Sequence, residues 1–154
     1  MAIAWKKICC PIDFSEPSAL ALRVAADLCG VFGAELTLFH SYQLPGYTLP
    51  EGSVVASPKM LQELADQAEA HLVEWKAMAE GMGAKDVKIA KGVGEPAVEV
   101  VEFAREGGFD LLVVGSHGRT GLRHALLGST AERVVRRARC PVLTVHPEGQ
   151  VRQG

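Results

Sequence analysis

Gly115-Ser116-His117-Gly118 is followed, after nine residues, by Gly128-Ser129-Thr130. That spacing suits a phosphate chain, which needs bare backbone N–H groups and a positive field. Gly115 and Gly118 have no Cβ, so their main chain can come close to a ligand. Gly128 does the same just before a predicted helix, where Ser129 and Thr130 offer hydroxyl and amide donors at the positive end of the helix dipole. Local charge agrees. Six of the nine arginines lie between residues 119 and 139, and Glu132 is the one acid there. Arg119 and Arg123 have the reach to meet phosphate oxygens, and His117 and His124 are further donors in the same loop. Arg133, Arg136, Arg137 and Arg139 are expected on a solvated helix face or at a subunit contact.

A second loop, Pro11-Ile12-Asp13-Phe14-Ser15, brings a carboxylate. Asp13 can accept from a ribose hydroxyl or an adenine amine, or bind a metal ion. It can equally satisfy backbone N–H groups in a β-to-α turn. Ser129-Thr130-Ala131-Glu132 carries a similar ambiguity. Its S-x-x-E spacing is that of a capping box, which leaves the backbone open to a ligand.

Other motifs fall away. Val114 to Gly118 lacks the first glycine of the G-x-S-x-G nucleophile elbow, and no Asp follows Asp110. Gly92-Val93-Gly94-Glu95-Pro96-Ala97 fits G-x-G-x-x-A, but a dinucleotide fingerprint belongs on the first βαβ unit, so a structural turn is expected. No G-x-x-x-x-G-K-[ST] segment occurs. No two of the five histidines stand at i, i+4 around an acid, so no dedicated metal site is expected.

The elements that must hold these loops follow from periodicity. Ile3 to Ile12 reads as a buried strand. Ser15 caps a helix with Pro17 in its first turn, striped by Leu20, Val24, Leu28 and Val31 and stopped by Gly33. Ala34 to Ser41 is a second strand, and residues 42–57 form a long loop. Pro58 opens a helix faced by Leu61, Leu64, Ala68, Leu72, Trp75 and Met82, with His71 on its surface. Val87 to Ala90, a helix from Glu95 to Glu106, Asp110 to Gly115, a helix from Ser129 to Arg137, and Pro141 to Val145 complete the pattern. Alternating strands and helices give an α/β fold with a parallel sheet covered on both faces. Ligands bind such sheets beyond the carboxyl ends of the strands, where the winding reverses.

Residues 1–154 fit one domain. Hydrophobic residues make up 48% and the net charge is −2, which gives no reason to expect nucleic acid or membrane as partner. The first residues lack a signal peptide's apolar core. Cys9, Cys10, Cys29 and Cys140 form no C-x-x-C pair and read as reduced core residues, pointing to the cytoplasm.

The three-glycine signature, the opening Cys10-Pro11-Ile12-Asp13-Phe14-Ser15 and the closing Arg139-Cys140-Pro141-Val142-Leu143-Thr144-Val145 together resemble the universal stress protein family over roughly residues 3 to 146. The resemblance implies a Rossmann-like, three-layer fold with a five-stranded parallel sheet in the order 3-2-1-4-5. It implies ATP binding, with Pro11, Ile12 and Asp13 on the adenine and ribose side. Val114, Gly115, Gly118, Gly128, Ser129 and Thr130 fall on the ribose and phosphate side. It places Ser41 against the adenine, where an apolar residue is common. Mg2+ or Mn2+ would be held by the phosphates. It also implies a homodimer through Pro141 to Val145 and a role in stress adaptation. No base in line with a γ-phosphate can be named, so ATP hydrolysis is expected to be slow or absent. The competing expectation is an interaction module with a vestigial nucleotide site.

Overall fold

The computed structural model describes residues 2–44, 47–49, 52–54, 56–117 and 127–147. In chain order the elements are β1 (Lys7–Pro11), α1 (Glu16–Phe32), β2 (Glu35–Tyr42), β3 (Tyr47–Leu49), β4 (Gly52–Val54), α2 (Pro58–Gly81), β5 (Val87–Val93), α3 (Pro96–Gly107), β6 (Leu111–Gly115), α4 (Ser129–Arg137) and β7 (Val142–Val145). Five strands form one sheet in the order β5-β2-β1-β6-β7, and every neighbouring pair is parallel. Counted along the chain without the β3–β4 hairpin, this is the order 3-2-1-4-5.

Successive residues of a strand face opposite sides, so each buried strand serves two cores. Cys10 belongs to the core under α1 and α2, with Ile8, Leu36, Leu38 and Leu72. Its neighbour Cys9 belongs to the core under α3 and α4, with Phe39, Val100, Leu112 and Val134. The cysteines are free thiols. Burial pushes the Cys29 thiol up to about 11 and raises Cys10 further.

The local stop and start signals hold. The Ser15 hydroxyl caps α1, and Gly33 ends it in the left-handed region at φ 63°. Ser57 caps α2, ahead of Pro58. Four details correct the sequence reading. β1 begins at Lys7 rather than Ile3, because its neighbour β2 begins only at Glu35. Residues 47–49 and 52–54 pair as a short antiparallel hairpin within the expected loop. β5 runs on to Val93, because β2 offers it partners as far as Tyr42. The buried face of α1 is Ser18, Ala21, Leu22, Ala25, Ala26 and Cys29, whereas Val31 is 77% exposed. Apart from Leu22 these are small residues, which let the helix lie close on the sheet, and the partly buried Val24 and Leu28 pack at its side.

At the amino end of the sheet the Asp110 carboxylate accepts the N–H groups of Lys6 at 2.8 Å and Lys7 at 2.9 Å. Asp110 precedes β6 instead of opening it, and it ties β1 to β6. Those bonds hold its carboxyl below the ordinary carboxylate range. The resulting stability is complete above the unfolded value of about 3.9 and drains away as pH falls through the lower, folded value. Asp110→Ala is expected to destabilise the fold by about 1–2 kcal/mol at pH 7. Its urea midpoint should also fall less steeply than the parent's below pH 4.

Candidate functional site

α1 and α2 cover one face of the sheet and α3 and α4 the other, so the winding reverses between β1 and β6. Those two strands share two register pairs, Ile8–Leu111 and Cys9–Leu112, against five between β1 and β2. Toward their carboxyl ends they part, and a cleft of about 720 Å3 opens. That volume suits a small-molecule ligand.

The cleft gathers Pro11, Ile12 and Asp13 from the end of β1, Ser41 from β2, and Val114, Gly115 and His117 from β6 and beyond. Gly128, Ser129 and Thr130 join it at the start of α4. Gly118 and Arg119, with Arg123 and His124, lie outside the described residues. Phe39, Val100 and Val134 add a buried apolar floor; periodicity turned Val100 inward but placed none of the three at the cleft. The arrangement offers an apolar seat for a flat group beside a polar helix end.

The start of α4 differs from the expected capping box. Gly128 is the N-cap residue and no side chain caps the helix. Gly128 donates to Ser116 O at 2.6 Å, and Glu132 N–H donates to Gly128 O. This sets the helix one residue earlier than the box requires, so Glu132 pairs instead with Arg136 at 2.9 Å. α3 also begins at the cleft, but its first turn is filled by Glu95, whose carboxylate accepts from Ala97 N and Val98 N. Arg133 stays on the expected solvated face, its side chain 55% exposed, and donates to that carboxylate at 3.1 Å, joining α4 to α3. Of the two helix starts, the one at α4 has no side-chain acceptor on its end among the described residues.

Asp13 shows the turn chemistry. Its Oδ1 accepts the Ser15 N–H at 3.0 Å, the Ser15 hydroxyl, and the Ser18 hydroxyl at 2.7 Å. The Ser18 oxygen in turn accepts from Asp13 N at 3.0 Å. Phe14, next along, has φ 64°, a left-handed conformation that costs a non-glycine residue roughly 1–2 kcal/mol. The Ser41 hydroxyl donates to Gly94 O at 2.9 Å, so its polar atom is turned onto the β5–α3 connection.

A model of the universal stress protein family matches residues 4–146. The chain belongs to that family. The universal stress protein MJ0531 of Methanocaldococcus jannaschii is 41% identical over 144 residues, covering 92% of this chain and 82% of that protein. The solved structure of MJ0577, from the same organism, has a TM-score of 0.77 at 29% identity and covers 96% of this chain and 99% of its own. A universal stress protein crystallised in complex with cAMP has a TM-score of 0.73 at 28% identity, covering 94% of this chain and 99% of its own.

In this universal stress protein the glycines do different work. A Cβ on Gly115 would stand 2.9 Å from the carbonyl oxygen of Pro17 and 3.0 Å from its carbon. The space that the sequence reading gave to a ligand there admits the first turn of α1. Gly92 and Gly94 likewise admit the chain's own Phe39 and Glu99, at 2.9 and 2.8 Å from a built Cβ. This is a structural turn, and a pyrophosphate would find it filled. Ser116 is fully buried, with its Oγ 3.1 Å from His117 Nδ1, and so cannot meet a substrate as a nucleophile.

Proposed function

We propose that this chain binds ATP in the β1–β6 cleft and acts as a regulatory protein of stress adaptation, hydrolysing ATP slowly or not at all. The glycine-capped start of α4 carries this reading. Its first-turn amides meet the cleft, and among the described residues no side chain receives them; such a helix end favours a phosphate. In this reading Gly128, Ser129 and Thr130, with His117, Gly118 and Arg119, take the phosphates. Val114 and Gly115 line the ribose side, and Pro11, Ile12, Asp13 and Ser41 face the ribose and adenine. The relative crystallised with cAMP supports an adenine nucleotide as ligand. Mg2+ or Mn2+ would ride on the phosphate oxygens, since among the described residues no group of three or more His, Cys, Asp or Glu stands close enough to hold an ion.

Hydrolysis requires a group that positions water in line with the γ-phosphate, and Asp13 Oδ1 is committed to its own turn. β7 is an edge strand of the sheet with Leu143 38% exposed. An apolar edge needs cover, and a second copy joined along β7 supplies it. We place the protein in the cytoplasm, which suits three buried free thiols. Among the described residues no helix is long and apolar enough to cross a membrane.

Calorimetric titration with Mg·ATP, beside mass analysis of ligand released from freshly purified protein, tests the reading. Saturable binding at one site per chain is expected. No heat and no released nucleotide would favour an interaction module instead. Asp13→Asn keeps an acceptor for the turn but not the charge. It should hold the Tm within about 2 °C while weakening ATP roughly tenfold, the loss of one charge-assisted hydrogen bond.

A further inference from the structure

Phe14, which follows the cleft residue Asp13 and packs against the core under α1 and α2, is a feature that the nucleotide reading leaves unexplained. A bulky residue at φ 64° is a genuine outlier, and such strain persists only where the surroundings over-determine it. Here the surroundings are rings. The Phe14 centroid lies 4.4 Å from that of His40, 5.0 Å from His71 and 5.5 Å from Trp75. His40 belongs to β2, and its Nδ1 bonds the Ile12 carbonyl at 2.8 Å. His71 and Trp75 stand one turn apart on α2, a spacing that puts both on one helix face. Residues 12 and 14 are therefore both gripped from outside their own loop, on either side of Asp13.

We propose that Phe14 is a positioning residue: the rings of β2 and α2 clamp it in the left-handed region, and this clamp aims the Asp13 carboxylate into the cleft and couples α2 to ligand binding. The inference rests on the nucleotide reading of the same site. Ser15 and Ser18 fix the carboxylate within the turn. The clamp fixes the turn against the rest of the molecule. A ligand that engages Asp13 is then one residue from a ring in edge contact with Trp75.

Trp75 makes this measurable. The chain has two tryptophans, and Trp5 packs on Phe32 at the other end of β1, 5.0 Å between centroids. In a Trp5→Phe background, saturation with Mg·ATP is expected to shift the Trp75 emission. Phe14→Gly, which tolerates φ 64° without a ring, should stay folded by circular dichroism. It should bind ATP about tenfold more weakly by calorimetry and lose the emission change. Trp75→Leu leaves residues 12 to 15 intact and should weaken ATP in the same direction by a smaller factor. A Trp75 emission that stays constant while calorimetry shows saturation would sink the inference alone, as would unchanged affinity in both Phe14→Gly and Trp75→Leu. Absence of ATP binding in the unaltered chain would sink the nucleotide reading, and this inference with it.

Discussion

Gly115→Val is expected to destabilise the protein by roughly 3 kcal/mol, the upper end of what overpacking costs, and to lower the Tm by about 6–12 °C. The new Cβ would meet the Pro17 carbonyl oxygen at 2.9 Å, its carbon at 3.0 Å and its Cβ at 3.2 Å. These atoms belong to the first turn of α1. They cannot rotate aside as the tip of a flexible side chain would. Either the helix lifts from the sheet or the end of β6 bends, and both disturb close packing. Valine adds two methyl groups to that clash, so Gly115→Ala should show about half the loss. Thermal and urea unfolding without nucleotide measure the effect. An alanine variant within about 0.5 kcal/mol of the parent, the usual scatter of a harmless surface change, would refute this account of Gly115.

Gly128→Val should do the opposite, sparing the fold and removing the ligand. Gly128 has φ −66° and ψ 161°, an extended conformation that valine adopts readily. Losing glycine at an N-cap costs about 1 kcal/mol. Gly128 lines the cleft and is the N-cap of α4, so a branched side chain at this position is expected to crowd the first-turn amides. Bound phosphate needs those amides at hydrogen-bond distance, and losing two or more such bonds weakens ATP by at least about 30-fold. Calorimetry on a variant shown to be folded decides it. Binding within about threefold of the parent would mean that the phosphates do not rest on this helix.

The two glycines look alike in sequence and differ in the fold because their partners lie at different ranges. Ser15, Gly33 and Pro58 act on residues a few positions away, so the helix boundaries they set are legible from the chain alone. Gly115 answers to Pro17, about a hundred residues earlier, and no local pattern carries that. The start of α4 is displaced by one residue from the capping box for the same reason, through a hydrogen bond from Gly128 to Ser116. Arg133 reads as surface and is surface, but its pairing with Glu95 was not legible because that partner is 38 residues away. The signal for Glu95 itself was present: an acid just before Pro96 at a helix start. The stripe assigned to α1 held in part: Val24 and Leu28 pack against the core, whereas Val31 is exposed and the fully buried face lies on Ala21, Leu22, Ala25 and Ala26 beside them. The cleft was legible in its β1, β6 and α4 residues because glycine spacing and strand ends are local features. The clamp on Phe14 was not, since it is built from three separate elements.

The scant pairing between β1 and β6 has a mechanical meaning. With two register pairs at the seam against seven between β2 and β5, the molecule resembles two leaves stitched near one margin and free to fan at the other. A guest seated between Asp13 on one leaf and Ser129 on the other would act as a cross-brace over the unstitched margin. Occupancy would then tie the two leaves together at the margin where their own pairing stops.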